Sequence, residues 1–490
     1  MLLLRLDSAA GRPLQEQVAA QLSEQIASGR LRPGERLPPT RVLARELGLS
    51  RNTVALAYDR LMAEGYIEGR RGAGTFVCDS LPEQSLRAED PQGSPAEAAR
   101  VPPPRFHGRQ HVLVHRQEAP IDFWVQRADP RLFPLKTWRR LVAECLARPG
   151  AGANLTEYSE PAGLLTLRQA IADEVAASRG IAVEPEQVFV VAGAQLALNL
   201  VTRLYLRGGE TVVVEDPCNQ GAGYLFEALD CRLLPVPLDA EGLRTDLLPE
   251  AAGALLYTTP SHQYPLGTTL SLDRRRVLLD WAERNGALII EDDYDSHFVY
   301  EGPPEPSLKA LRGDLVVHLG TFSKSLGAGI RMGYAIVPPA LVDKTTAAKA
   351  LLDNGPPWLE QAALARFLAE GGYRRHVRRL RQTCLDRRDA LLAALERHFG
   401  RVALTGTRCG THVVWHLPED FPEATAVARA ARARQVGVYT LESGGGHEYG
   451  TAGIGRRALM IGFAAVDERQ IDRGIALLAA AIDGLHRPGG

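Results

Sequence analysis

Between Val188 and Pro338 seven short apolar runs, VFVVAG, TVVVED, CRLLPVPL, GALLYTTP, ALIIEDD, LVVHLG and MGYAIVP, alternate with stretches of helical character. Strands separated by helices imply a mostly parallel sheet with right-handed crossovers, because a parallel neighbour is reached only by crossing one face of the sheet. Ligands of such sheets bind beyond the carboxyl ends of the strands. Chemistry is therefore expected where these runs close.

Three of the closing segments form a coherent set. LVVHLGTFSKSLGAGIRMGY, from Leu315 to Tyr334, is an apolar strand, then a Ser/Thr-rich turn holding Lys324, then a Gly-rich segment carrying Arg331. A lysine at the end of a buried strand, with hydroxyls on both sides and an arginine seven residues on, suits an amine that forms a Schiff base beside a phosphate. That is the chemistry of pyridoxal 5'-phosphate. The chain has five lysines, Lys136, Lys309, Lys324, Lys344 and Lys349, and Lys324 alone stands at such a strand-to-loop junction.

In ALIIEDDYDS, residues two apart point to one side of the strand, so Asp292 and Tyr294 share a face while Asp293 and Asp295 turn away. A carboxylate keeps a pyridine nitrogen protonated and a hydroxyl serves the ring's phenolic oxygen, which gives Asp292 and Tyr294 their expected roles. In QVFVVAGAQLALNLV, Gly193, Ala194 and Gln195 turn strand into helix and let backbone N–H groups approach a phosphate at the positive helix end. Taken singly, these windows also read as a surface lysine, acids closing a strand and a plain turn. In the order phosphate turn, aspartate, lysine they make one cofactor site.

The N-terminal segment is organised differently. Leu14, Val18, Leu22 and Ile26 repeat every fourth residue, the stripe of an amphipathic helix. Gly and Pro break it, Thr40 opens a second helix closed by Gly48, and Ser50 caps a third with Val54, Tyr58, Leu61 and Met62 expected on its inward face. With the hairpin IEGRRGAGTFV this describes a winged helix-turn-helix over residues 1–78. Double-stranded operator DNA is the expected partner. The start of the third helix, Ser50, Arg51, Asn52 and Thr53, would stand nearest the bases, while Arg41 and the wing arginines Arg70 and Arg71 would hold phosphates or the minor groove. Residues 1–78 hold 11 arginines against 8 acids, or +3, which leaves −4 for the remainder of a chain with net charge −1. The sign favours nucleic acid.

At 490 residues two or more domains are expected. No apolar run of about 18 residues exists to span a membrane, and MLLLRLDSAAGRP is too soon interrupted for a secretory signal, so a cytoplasmic protein is expected. The six cysteines are scattered without a C-x-x-C pair, which argues for reduced thiols and no metal site. From residue 79 to about 118 the chain is rich in Pro, Glu, Ser, Ala and Arg without apolar periodicity. It reads as a flexible linker, and about 40 such residues span roughly 30–40 Å.

The motifs TTPSHQYPLGTTLS, IIEDDYDSHF and GTFSKSLGAGIRMGY, together with LPPTRVLARELGLSRNTVALAYDRLMAEGYI, resemble those of the MocR/GabR subfamily of GntR transcription regulators. The resemblance covers nearly the whole chain except the linker. It implies a multidomain protein, an N-terminal winged helix-turn-helix plus a C-terminal α/β fold-type I PLP-dependent aminotransferase-like domain over residues 119–490. It also implies that Thr321, Ser323 and Arg331 complete the phosphate cup, and that Tyr158 crosses to the other subunit's phosphate in a homodimer. The arginine-rich stretch Tyr373 to Phe399 is expected to be a solvated helix face.

The chain departs from many relatives in the loop PCNQGAG, where a stacking tyrosine and an effector-binding arginine give way to Asn219 and Gly221. The loop ESGGGHEYG offers no clear ligand anchor. Asn219, His262 and Tyr264 are the effector-facing candidates, although the latter two read equally as satisfied loop residues. The expected function is a PLP-dependent regulator in which an amine or amino-acid effector forms an aldimine and alters operator binding, with no catalytic residues expected. A vitamin B6 sensor, or an active aminotransferase fused to a DNA-binding domain, is the alternative.

Overall fold

The computed structural model describes residues 4, 6–7, 11–70, 72–79, 108–109, 119–250, 255–450 and 453–486. Arg71 and nearly all of the expected linker lie outside the described residues. The chain divides into two compact units, Met1–Pro104 and Arg105–Gly490.

In the first unit α1 (Leu14–Ala27), α2 (Thr40–Leu47) and α3 (Arg51–Ala63) surround a core that includes Val18, Leu22, Leu43, Val54 and Leu61. Gly48 ends α2 in the left-handed region at φ 66°, where a residue without Cβ costs least. Two residues on, the Ser50 hydroxyl accepts the Thr53 N–H at 3.1 Å and starts α3. The turn between the helices is thus set by its own sequence. Tyr58 reaches from α3 to donate to the Pro38 carbonyl at 2.9 Å, which fixes the approach to α2. Strands β1 (Ile67–Arg70) and β2 (Gly74–Val77) pair antiparallel, Ile67 opposite Val77 and Arg70 opposite Gly74, and form the wing. Met62 departs from expectation: it is 39% exposed, one position past the inward stripe that Leu61 completes.

The second unit is built on an eight-stranded sheet: β3 (Val188–Val191), β4 (Thr211–Asp216), β5 (Arg232–Asp239), β6 (Gly242–Leu243), β7 (Leu255–Thr258), β8 (Leu288–Asp293), β9 (Val316–Thr321) and β10 (Gly333–Ile336). Its order is β3-β10-β9-β8-β7-β4-β5-β6. All seven expected runs are strands. The central ladders β9-β8-β7-β4-β5 are parallel, and β10 runs antiparallel to both its neighbours. Apolar clusters cover both faces, which is why these strands are apolar throughout rather than at alternate positions.

A smaller four-stranded antiparallel sheet follows, β11 (Ala403–Thr405), β12 (His412–His416), β13 (Tyr439–Thr440) and β14 (Ala458–Gly462), in the order β11-β12-β14-β13. The arginine-rich stretch is one helix, Gly372–Phe399, and it is not solvated throughout. Arg387 turns inward to Asp129 at 2.8 Å and Arg388 to Glu301 at 2.6 Å, since carboxylates lie within reach of its buried face. Among the described residues no helix is long and apolar enough to cross a membrane, and all six cysteines are free.

Candidate functional site

A cavity of about 560 Å³ opens at the carboxyl ends of the central strands, lined by residues from the Gly193, Asp292 and Lys324 segments together. The three segments singled out in the sequence therefore converge.

The period of two in β8 divides its acids as expected. Asp292 and Tyr294 line the cavity, while Asp293 pairs with Arg179 at 2.9 Å and Asp295 meets His262 Nδ1 at 2.7 Å, both away from it. Asp292 Oδ2 accepts the Tyr257 hydroxyl at 2.7 Å, whereas Oδ1 is buried without a partner among the described residues. Burial pushes the Asp292 carboxyl up to about 6 against that hydrogen bond. A buried acceptor left open in a cavity wall is costly unless a ligand donor completes it.

Lys324 is half-buried in the same wall, its Nζ 5.7 Å from the centre of the Tyr294 ring. Burial lowers its ammonium to about 8, opposed by the charges of Asp295 and Asp292. A far larger fraction is neutral near pH 7.5 than for an ordinary lysine at about 10.4, and the neutral form is the nucleophile.

Tyr294 is oriented from behind. Its hydroxyl lies 2.9 Å from His262 Nδ1, the atom that also faces Asp295. A carboxylate only accepts, so the contact with Asp295 requires a proton on Nδ1, and Nδ1 then cannot accept from Tyr294. The tyrosine proton is left free to point into the cavity.

The other end of the cavity is an anion cradle. Gly193 sits at φ 90°, ψ 164°, a conformation side chains rarely adopt, and a Cβ there would come within 3.2 Å of the Arg331 guanidinium. The helix Ala194–Tyr205 starts at this turn, so its first N–H groups face the cavity together with Arg331, which also donates to the Ala192 carbonyl. Thr321 and Ser323 bond each other at 3.0 Å on the same wall. Gln195 spends its carboxamide N–H on the Gly221 carbonyl at 2.9 Å.

The effector candidates fare unevenly. Tyr264 lines the cavity, but its hydroxyl donates to the Gly444 carbonyl. Asn219 lines it too, yet its side-chain oxygen caps the following helix by accepting from Gly221 at 2.8 Å and Ala222 at 3.3 Å. His262 is a correction: it is 1% exposed and stands behind Tyr294 rather than facing the cavity, because Asp295 draws its ring inward. Tyr158 is 88% exposed and does not line this chain's cavity.

Sequence reading missed Tyr257, Trp124, Gln126 and Arg127, all of which line the cavity. Tyr257 stands in another of the seven runs and the strand-end rule reaches it; the other three belong to an entry segment with no periodic signal. The glycine-rich loop also contributes more than expected, through its backbone. Gly446 and His447 pair antiparallel with Asn219 and Cys218, and Gly444 accepts from Gln126 at 3.4 Å.

On the other unit Ser50, Arg51, Asn52 and Arg41 are exposed, and the Thr53 hydroxyl bonds Ser50 at 2.8 Å. Arg70 is exposed, pairs with Glu68 at 2.7 Å and lies over the Phe76 ring.

The model of the gntR family of bacterial regulatory proteins matches residues 14–77, and that of aminotransferase class I and II matches residues 127–478. The chain is 32% identical over 492 residues to the probable rhizopine catabolism regulatory protein MocR of Rhizobium meliloti, covering 99% of this chain and 97% of the relative. It is 34% identical over 469 residues to the HTH-type pyridoxine biosynthesis transcriptional regulator PdxR of Corynebacterium glutamicum, covering 95% and 96%. Among solved structures, LysN, an alpha-aminoadipate aminotransferase from Thermus thermophilus complexed with N-(5'-phosphopyridoxyl)-L-leucine, superposes with a TM-score of 0.67 over 76% of this chain and 93% of that chain, at 29% identity.

Proposed function

The chain belongs to the MocR-type transcription regulators of the GntR family, and on that premise we propose that its operator binding is set by a primary amine captured at pyridoxal 5'-phosphate on Lys324. The observation that carries this reading is the open Asp292 Oδ1, buried in a cavity that also holds a lysine lowered to about 8. When bound, pyridoxal phosphate supplies an aldehyde that condenses with amines.

In this reading Asp292 holds the pyridinium proton with Oδ1 while Tyr257 steadies Oδ2. Tyr294 donates to the phenolate oxygen, kept in that sense by His262 and Asp295. Gly193, Ala194, Gln195, Thr321, Ser323 and Arg331 receive the phosphate, and Tyr158 of a second copy reaches it in a homodimer. Asn219 and Tyr264 wall the effector's side. Arg51, Asn52 and Thr53 read base edges, Ser50 holds the helix start, and Arg41, Arg70 and Arg71 take phosphates, all in the cytoplasm. Residues 1–78, 79–118 and 119–490 act as reader, linker and sensor. Amine capture shifts the population of domain arrangements that fit the operator.

Similarity to a pyridoxine biosynthesis regulator favours a second reading, in which the cofactor itself is the signal. An absorbance spectrum of the protein with pyridoxal phosphate, titrated with amines and amino acids, separates the readings. A visible band that one compound shifts and holds supports the amine sensor; operator binding that follows the cofactor alone supports the second. Continuous release of a keto product would mean an aminotransferase, and absence of any band would refute the cofactor assignment.

A further inference from the structure

We propose that Arg127 anchors an anionic group of the effector, so that the ligand is an amine that also carries a carboxylate or an oxyanion of like geometry. This rests on the reading that the cavity captures an amine at Lys324. The cavity's lining contains three cations, Lys324, Arg331 and Arg127. Lys324 is the capturing amine, and Arg331 stands at the Gly193 turn with a donor committed to the Ala192 carbonyl. Among the described residues Arg127 makes no side-chain hydrogen bond, only a long ion pair with Asp122.

Its guanidinium faces Asp122 Oδ2 at 3.6 Å, too long for a hydrogen bond, and its side chain is 24% exposed. Asp122 is otherwise supplied, since its Oδ1 accepts the Tyr439 hydroxyl at 2.5 Å. Arg127 therefore keeps its donors for a ligand, in a fork that matches a carboxylate. Its backbone is well placed to aim it. The strand Ile121–Asp122 pairs with Val436–Gly437, and Gln126 next door donates to the Tyr264 hydroxyl at 3.1 Å. Gly221, in the loop beside Asn219, offers no substitute, because it has no side chain and its N–H is taken by Asn219.

The test uses full-length protein loaded with pyridoxal phosphate, titrated with α- and ω-amino acids and with n-alkylamines in which a methyl group replaces the carboxylate. One amino acid is expected to shift the visible band at a concentration at least about tenfold below its matched amine, the discrimination of one bidentate charge-assisted pair. Arg127→Gln should erase that preference. Asp122→Asn, which removes the competing internal charge, should enlarge it, a change of sign that misfolding does not produce.

Calorimetry with simple carboxylates from propionate to hexanoate tests the anchor without any amine. Carboxylate binding lost in Arg127→Gln upholds the anchor even if no amine shifts the band, in which case only the amine reading falls. The anchor is overturned if folded Arg127→Gln keeps the wild-type preference, or if wild-type protein neither prefers an amino acid nor binds any carboxylate.

Discussion

Strand β8 and the start of α3 use polar side chains in opposite ways. In β8 Asp292 faces the cavity and is held by Tyr257, while on the side turned away Glu291 accepts from Ser307 at 2.7 Å and from the Leu308 N–H at 2.8 Å and Asp293 faces Arg179. Glu291 and Asp293 are buried and Asp292 is half-buried, and each has its direction fixed by neighbours. At the start of α3, Arg51 and Asn52 are exposed and project from a helix whose cap is supplied by Ser50. A buried charge is worth much and tolerates little, whereas an exposed cation waits for a phosphate or base, contributes in small steps and is screened by salt. Sensing and reading thus obey different rules within one chain.

The largest expected effect tests the buried side. Lys324→Ala should abolish the borohydride-reducible adduct with pyridoxal phosphate, and an adduct retained at another lysine would move the assignment. In the wild type, covalent loading of pyridoxal phosphate onto Lys324 should quicken as pH rises through about 8 and level off above it, because deprotonation of Lys324 makes the nucleophile. A rate still climbing at pH 10 would mean that burial does not tune this amine. Next, Asp292→Asn should weaken pyridoxal phosphate by about 2–3 kcal/mol, the value of a hydrogen bond to a charged group, with little dependence on salt. Equilibrium dialysis at two salt concentrations measures both.

On the exposed side the steps are smaller. Arg51→Ala should cost about 1–3 kcal/mol of specific operator binding while leaving non-specific binding nearly as before. Unchanged affinity in a gel-shift titration would remove it from the base-reading set. Arg70→Ala should weaken all sequences alike and reduce the salt slope by about 1. A strong salt dependence at Asp292, or none at Arg51 and Arg70, would break the contrast between the two regions.

The same contrast explains what the sequence made legible. Lys324, Asp292 and Tyr294 could be found because strand period and strand ends are local rules, and β8 obeys them residue by residue. The helix caps and the wing were legible for the same reason. His262 was not, since its direction depends on Asp295 thirty-three residues away. Arg127 and Trp124 reach the cavity only because the entry segment pairs with the strand at Val436–Gly437, a long-range contact without a sequence signature. Arg387 and Arg388 looked like surface charge until the helix they share was packed against Asp129 and Glu301.

Operator affinity measured by fluorescence anisotropy, on wild type and Lys324→Ala, each loaded with pyridoxal phosphate and titrated with the amine that shifts the wild-type band, joins the two regions in one observation. Operator affinity should change with amine in the wild type and stay flat in Lys324→Ala, whose winged helix is untouched. Equal responses in both proteins would show that the cavity lysine does not govern DNA binding.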